Sequence, residues 1–200
     1  MSLKLRIASC WTPQILLIPE LDRVAEVTVE CLDLLLEEHA PQKYKEITEK
    51  ELEMEGNLEQ RREIMATAHN VRVKALIDSL GYDTALRVGR KALFKAGLKL
   101  GREAKERLGV GGSLQDLIRA ARILYRVLGI EFEIEEYGDQ ITMVVDKCSL
   151  SNYYTAETCN ILSAADEGVV QGLNENIHMN FTLRITEGHP KCVACISHEI

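Results

Sequence analysis

The hydrophobic period of this chain changes once, at Ile130, and that change dictates its architecture. Before it, apolar residues recur every three or four positions. After it, Ile130, Phe132 and Ile134 alternate with Glu131, Glu133 and Glu135. The first pattern puts a stripe on a helix and the second puts a face on a strand. Gly138-Asp139 turns the chain, and Ile141, Met143 and Val145 alternate again up to Lys147. This is a hairpin, apolar on one face and acid-rich on the other. Thr155 to Gly172 reads as a helix, stopped by Gly172 and Asn174. In a second hairpin Met179, Phe181, Leu183 and Ile185 alternate with Asn180, Thr182, Arg184 and Thr186. Its turn is Glu187-Gly188-His189-Pro190, and the return strand runs from Lys191 to about His198. Helices followed by strand–strand–helix–strand–strand predict an α+β fold: a four-stranded antiparallel sheet with helices packed on one face. We expect one domain over residues 1–200, with a helical part (1–128) and a part carrying the site (129–200).

Within the helical part, Thr12 is placed to cap a short helix opened by Pro13. Glu20 to His39 has a broad apolar face that includes Cys31, and Pro41 stops it. Glu46 to Arg62 is charge-rich and reads as a solvated helix with a break at Gly56-Asn57. A helix from about Glu59 to Leu80 carries His69 and Arg72 one turn apart, a pair that could meet an anionic ligand or lie on the surface. From Asp83 to Leu108 small residues (Ala85, Gly89, Ala92, Ala96, Ala104) recur at helical spacing, which lets another helix approach closely. The other side of this helix is basic. Gly109 to Gly112 links it to a helix capped by Ser113 and ended by Gly129.

The net charge of −7 disfavours nucleic acid as a partner. No apolar run is long enough to span a membrane, and Met1 to Leu21, broken by Pro13 and Pro19, reads as mature sequence rather than a signal peptide. We therefore expect a cytoplasmic protein with reduced thiols, a small-molecule ligand of anionic character, and a homodimer formed through the long helices.

Four of the six cysteines fall in the last fifty-three residues: Cys148, Cys159, Cys192 and Cys195. Asp166 follows Cys159 by two helical turns, with Ser163 between them. Three readings stand side by side. The thiolates could hold zinc or an iron–sulfur cluster, although residues three apart on a strand face opposite ways, which makes Cys195 the doubtful ligand. One thiolate, Cys148 ahead of the helix above all, could be a nucleophile, with His189 or His178 as base and Asp166 as orienting carboxylate. Or the cysteines are small packing residues.

The stretch Cys148-Ser-Leu, Cys159-Asn-Ile-Leu-Ser-Ala-Ala-Asp166, Gly172-Leu-Asn174, Phe181 and Arg184-Ile-Thr-Glu-Gly188-His-Pro-Lys-Cys192 resembles the L-2-amino-thiazoline-4-carboxylic acid hydrolase-like family. That family is distantly similar to 4-vinyl reductase-type small-molecule-binding domains. The resemblance implies a ligand or metal site made by Cys148, Cys159, Asp166 and Cys192, and an activity that opens a cyclic amidine by hydrolysis. Proton transfer would fall to Asp166 or His189. Family members often carry a cysteine where this chain has Ser163. The alternative, from a different class, is a non-catalytic module that senses a ligand or a cysteine-bound metal.

Overall fold

A computed structural model describes residues 14–49, 52–138 and 140–198. The cap assigned to Thr12, the helix start at Pro13 and the turn residue Asp139 lie outside them. Five helices come first: α1 (Gln14–His39), α2 (Pro41–Thr48), α3 (Leu58–Leu80), α4 (Tyr82–Leu108) and α5 (Leu114–Leu128). They are followed by β1 (Ile130–Tyr137), β2 (Gln140–Cys148), α6 (Ala156–Leu173), β3 (Ile177–Leu183) and β4 (Cys192–His198). Short 3-10 turns at Ser149–Asn152 and Ile185–Glu187 lead into α6 and out of β3. The chain is an α+β fold. Among the described residues, no helix is long and apolar enough to cross a membrane.

Local chemistry sets the helix boundaries. The Asn57 side chain accepts from the N–H groups of Glu59 and Gln60, and the Gln60 side chain closes the capping box. Ser113 accepts from the Asp116 N–H and Thr155 from the Thr158 N–H, so α5 and α6 begin where a hydroxyl satisfies an orphan donor. α1 begins earlier than the pattern suggested and carries the exposed Pro19 inside it.

The two hairpins form one antiparallel sheet in the order β1-β2-β4-β3. Phe132, Met143, Val145, Ile177, Met179 and Ala194 point to one face, where α5 and α6 cover them. α1 and α3 pack behind these helices through Leu21, Ala25, Met65 and Ala66, which meet Val127 of α5 and Leu150 of the first 3-10 turn.

Each hairpin contains a bulge, and each bulge changes which way the chain faces beyond it. In β2, Glu131 pairs with Lys147 and Phe132 with Val145, so Asp146 is an extra residue. Met143 and Val145 face the core, Asp146 and Lys147 are both exposed, and Cys148 turns inward. In β3, Phe181 pairs with Ala194 and Leu183 with Val193, so Thr182 is the extra residue. Thr182 and Leu183 are both exposed, and Arg184 turns inward. Simple alternation predicts Leu183 inside and Arg184 outside. The structure reverses both: Leu183 is 38% exposed and Arg184 only 7%. An inserted residue shifts a period of two by one place, so every later side chain changes face.

The small-residue face of α4 is used within the chain. Its buried positions are Ala85, Gly89, Leu93, Gly97, Gly101 and Ala104, one step away from the Ala92 and Ala96 of the expected stripe, and α6 lies against those from Gly89 to Gly101. A Cβ on Gly97 would sit 2.0 Å from the Ala165 carbonyl oxygen, and one on Gly168 would sit 2.1 Å from that of Phe94. Gly101 and Gly172 are equally tight, at 2.3 Å from the Val169 oxygen and 2.5 Å from the Leu98 oxygen. Only glycine lets the two backbones approach this closely.

Candidate functional site

The other side of α6 does not pack solidly. A cavity of about 80 Å³ opens there, bounded by α1, α3, α5, α6 and the sheet. α6 contributes Cys159, Leu162, Ser163, Ala165 and Asp166 on turns that follow one another along a single face. The two bulges contribute Cys148 and Arg184, and β4 contributes Cys192. The structure thus brings Cys148, Cys159, Asp166 and Cys192, far apart in sequence, to one internal surface.

The thiols there are held as thiols. Burial pushes Cys148 up to about 12 and Cys159 up to about 11, and it raises Cys192 as well. The Cys192 sulfur accepts the Ile185 N–H at 3.3 Å. Among the described residues no group of three or more His, Cys, Asp or Glu side chains is placed to hold a metal ion. Zinc or an iron–sulfur cluster needs several donors converging on one point. These residues do not fit such a group, and we derive no step through one. Cys195 is excluded on separate grounds: Cys192 and Ala194 face the helices, so Cys195, paired with Thr142 and Asn180, points the other way.

Asp166 behaves in the opposite sense to a surface carboxylate. Burial, and secondly the nearby charge of Glu167, raise it to about 7. Glu167 is itself occupied by a two-pronged contact from Arg90, with Nη2 at 2.9 and 2.7 Å from the two oxygens. Asp166 keeps some accessible surface and lines the cavity. At neutral pH its carboxyl group is therefore poised to take or give a proton.

His69 also lines the cavity, but as a neutral group with both nitrogens used. The Thr28 hydroxyl donates to the Val24 carbonyl at 2.6 Å, so its oxygen accepts from His69 Nε2–H at 2.8 Å. Nδ1 then accepts from the Tyr154 hydroxyl, also at 2.8 Å. Burial, with Arg72 second, depresses the imidazole to about 3. Arg72 is not in the cavity, because it grips Asp33 through Nε at 2.8 Å and Nη2 at 3.1 Å. The cation that does reach the cavity is Arg184, which the alternation pattern had turned outward. Its Nη2 donates to Ser163 Oγ at 3.1 Å, Nη1 is 3.7 Å from Glu187, and its buried Nε–H has no partner. Ser163 also accepts from Arg90 Nη1 at 3.2 Å and donates to the Asn160 carbonyl. A hydroxyl oxygen can serve two guanidinium donors where a thiol would accept only weakly, which gives Ser163 a structural reason in this chain.

His189 stands in the exposed turn before β4 and does not border the cavity, so it is not placed to move protons there. His178 lies on the outer side of β3, between the inward Ile177 and Met179. Tyr125 of α5 escaped the sequence pattern altogether. It is 4% exposed, lies edge-on to Phe132, borders the cavity and leaves its buried hydroxyl without a partner.

The fold is similar to that of a trafficking protein particle complex subunit 3 from Naegleria fowleri, solved covalently bound to palmitic acid. The TM-score is 0.55 at 13% sequence identity, covering 70% of this chain and 95% of that one. No curated protein matches the chain. The model of L-2-amino-thiazoline-4-carboxylic acid hydrolase matches residues 61–196, which span α3 to β4 and every residue of the cavity except those from α1, and the chain belongs to that family.

Proposed function

We propose that the chain binds a small carboxylate-bearing cyclic amidine in this cavity and opens its ring by hydrolysis. The observation that carries the reading is Asp166, an internal carboxyl group raised to about 7 beside an apolar cavity. In its ionised form it removes a proton from a water molecule as the water oxygen bonds to the amidine carbon. The ring bond from that carbon to its heteroatom then breaks, and the leaving atom takes the proton back from Asp166. Arg184 holds the substrate carboxylate through its guanidinium group, which lines the cavity. The thiols are protonated at neutral pH, so water rather than sulfur is the nucleophile.

The test is hydrolysis of 2-amino-thiazoline-4-carboxylate by purified protein. Turnover lost in Asp166→Asn, KM raised in Arg184→Gln and activity retained in Cys148→Ser would support the assignment. Full activity in Asp166→Asn would end it. A second reading, binding without turnover, is favoured by the satisfied His69 and the protonated thiols, which leave Asp166 alone to do chemistry. Tight binding of the same compound with no product would select it.

A further inference from the structure

A second cavity of about 70 Å³ lies beside the first. The two share six wall residues, Val24, Thr28, Tyr125, Leu128, Ala165 and Asp166, so they meet side by side with Tyr125 and Asp166 at the junction. Along α6 the wall passes from Cys159 through Ser163 and Asp166 to Val169. At the helical rise those ten steps cover roughly 15 Å. The polar content is uneven along this path. The end beside Cys159 has Arg184 and Ser163, and the junction has Asp166 and Tyr125. Beyond it the walls are Leu100, Ala104, Leu124, Val127 and Val169. At the far rim Glu20 pairs with Arg107 and Arg23 with Glu103, all partly exposed.

Water gains little in the second cavity, because a stable internal water needs two to four partners and, Asp166 and Tyr125 aside, its polar residues are occupied: Thr28 by Val24 and His69, Glu20 by Arg107 and Arg23 by Glu103. A bare thiazoline ring seated between Arg184 and Asp166 would leave that space unfilled. We infer that the two cavities form one channel, and that its ligand is an elongated carboxylate. Its acid group meets Arg184, its middle passes Tyr125 and Asp166, and an apolar tail fills the second cavity. This rests on the proposed role of Arg184 as carboxylate anchor and adds a tail to the substrate class. For the family's reaction, the ring would carry an apolar substituent on the side away from its carboxylate.

Isothermal titration with linear alkyl carboxylates (hexanoate, octanoate, decanoate, tetradecanoate), each below its micelle concentration, tests it. In the wild-type protein decanoate binds about a hundredfold more tightly than hexanoate, as burial of four methylenes requires. Ala104→Phe fills the second cavity and removes that gain. Leu100→Ala, which enlarges the same cavity and does not depend on tolerating a larger side chain, moves the optimum to a longer chain. Arg184→Gln weakens every member of the series alike. Affinity independent of length in the wild type, or a length dependence unchanged in both cavity variants, would overturn the channel. The outcomes separate it from the parent reading: hydrolysis of the unsubstituted ring with no length dependence leaves the reaction standing and removes the tail. Loss of both ring hydrolysis and hexanoate binding removes the anchor that they share.

Discussion

The two sides of α6 are built on opposite terms. Toward α4 its glycines press against backbone atoms with no room for a single added carbon. Toward α1, α5 and the sheet it borders open space and carries the Asp166 carboxyl and the Cys159 thiol there, both only partly accessible. A protein gains most of its stability from close packing and loses some by burying polar groups without partners. α6 does the first on one side, and this holds the second in place. The chemistry can be awkward because the helix that carries it cannot move relative to α4.

The contrast breaks if the tight side tolerates bulk. Gly97→Ala gains about 1 kcal/mol of helix propensity but drives a methyl group into the Ala165 carbonyl. The net expectation is a loss of about 2–4 kcal/mol, read by chemical denaturation. An unchanged midpoint would show that the glycines are not needed for the approach.

On the open side the sign reverses. Asp166 is raised to about 7 in the folded chain, against roughly 3.9 when unfolded. The folded state therefore holds the proton more tightly, and this stabilisation is complete below about pH 4 and lost as the pH rises through 7. Asp166→Asn should flatten that decline, so that at pH 8 the variant is more stable than the wild type by about 1–3 kcal/mol, a range discounted because the carboxyl borders solvent-sized space. Denaturation at pH 5 and pH 8 gives the comparison; parallel curves for the two proteins would mean that the carboxyl is ordinarily solvated.

Tyr125→Phe is the gentlest probe. Removing an unpartnered buried hydroxyl should leave stability unchanged or raise it by about 1 kcal/mol. A loss above that would reveal a partner that the hydroxyl depends on in solution.

Much of the fold could be read from residue order. The alternation in Ile130–Ile134 and Met179–Phe181 marked both hairpins, and the spacing of Cys159 and Asp166 marked one helix face. What escaped has physical causes. Periodicity carries forward only while the register is unbroken, and Arg184 lies just past a break. The adjacent polar pair Asp146-Lys147 was the one local sign of such a break, and β3 offered none. Tyr125 was missed because α5 lies between the sheet and α1 and buries more than the single stripe of a surface helix. The spacing of small residues on α4 announced a close neighbour but not which one. His69 was legible as a possible ligand-binding group, but its neutrality depends on Thr28 and Tyr154, forty-one and eighty-five residues away.

The two bulges imply an unusual route by which such a pocket could change its chemistry. Losing Asp146 or Thr182 would remove one exposed residue and let each hairpin close with regular pairing. Cys148 and Arg184 would still face inward; taking the extra residue into the ladder, a one-place slip of the strand, would instead turn either of them from the interior out to water without altering it. The pocket's inventory is thus written partly in strand register, and a one-residue slip in a hairpin could empty it more completely than most substitutions within it.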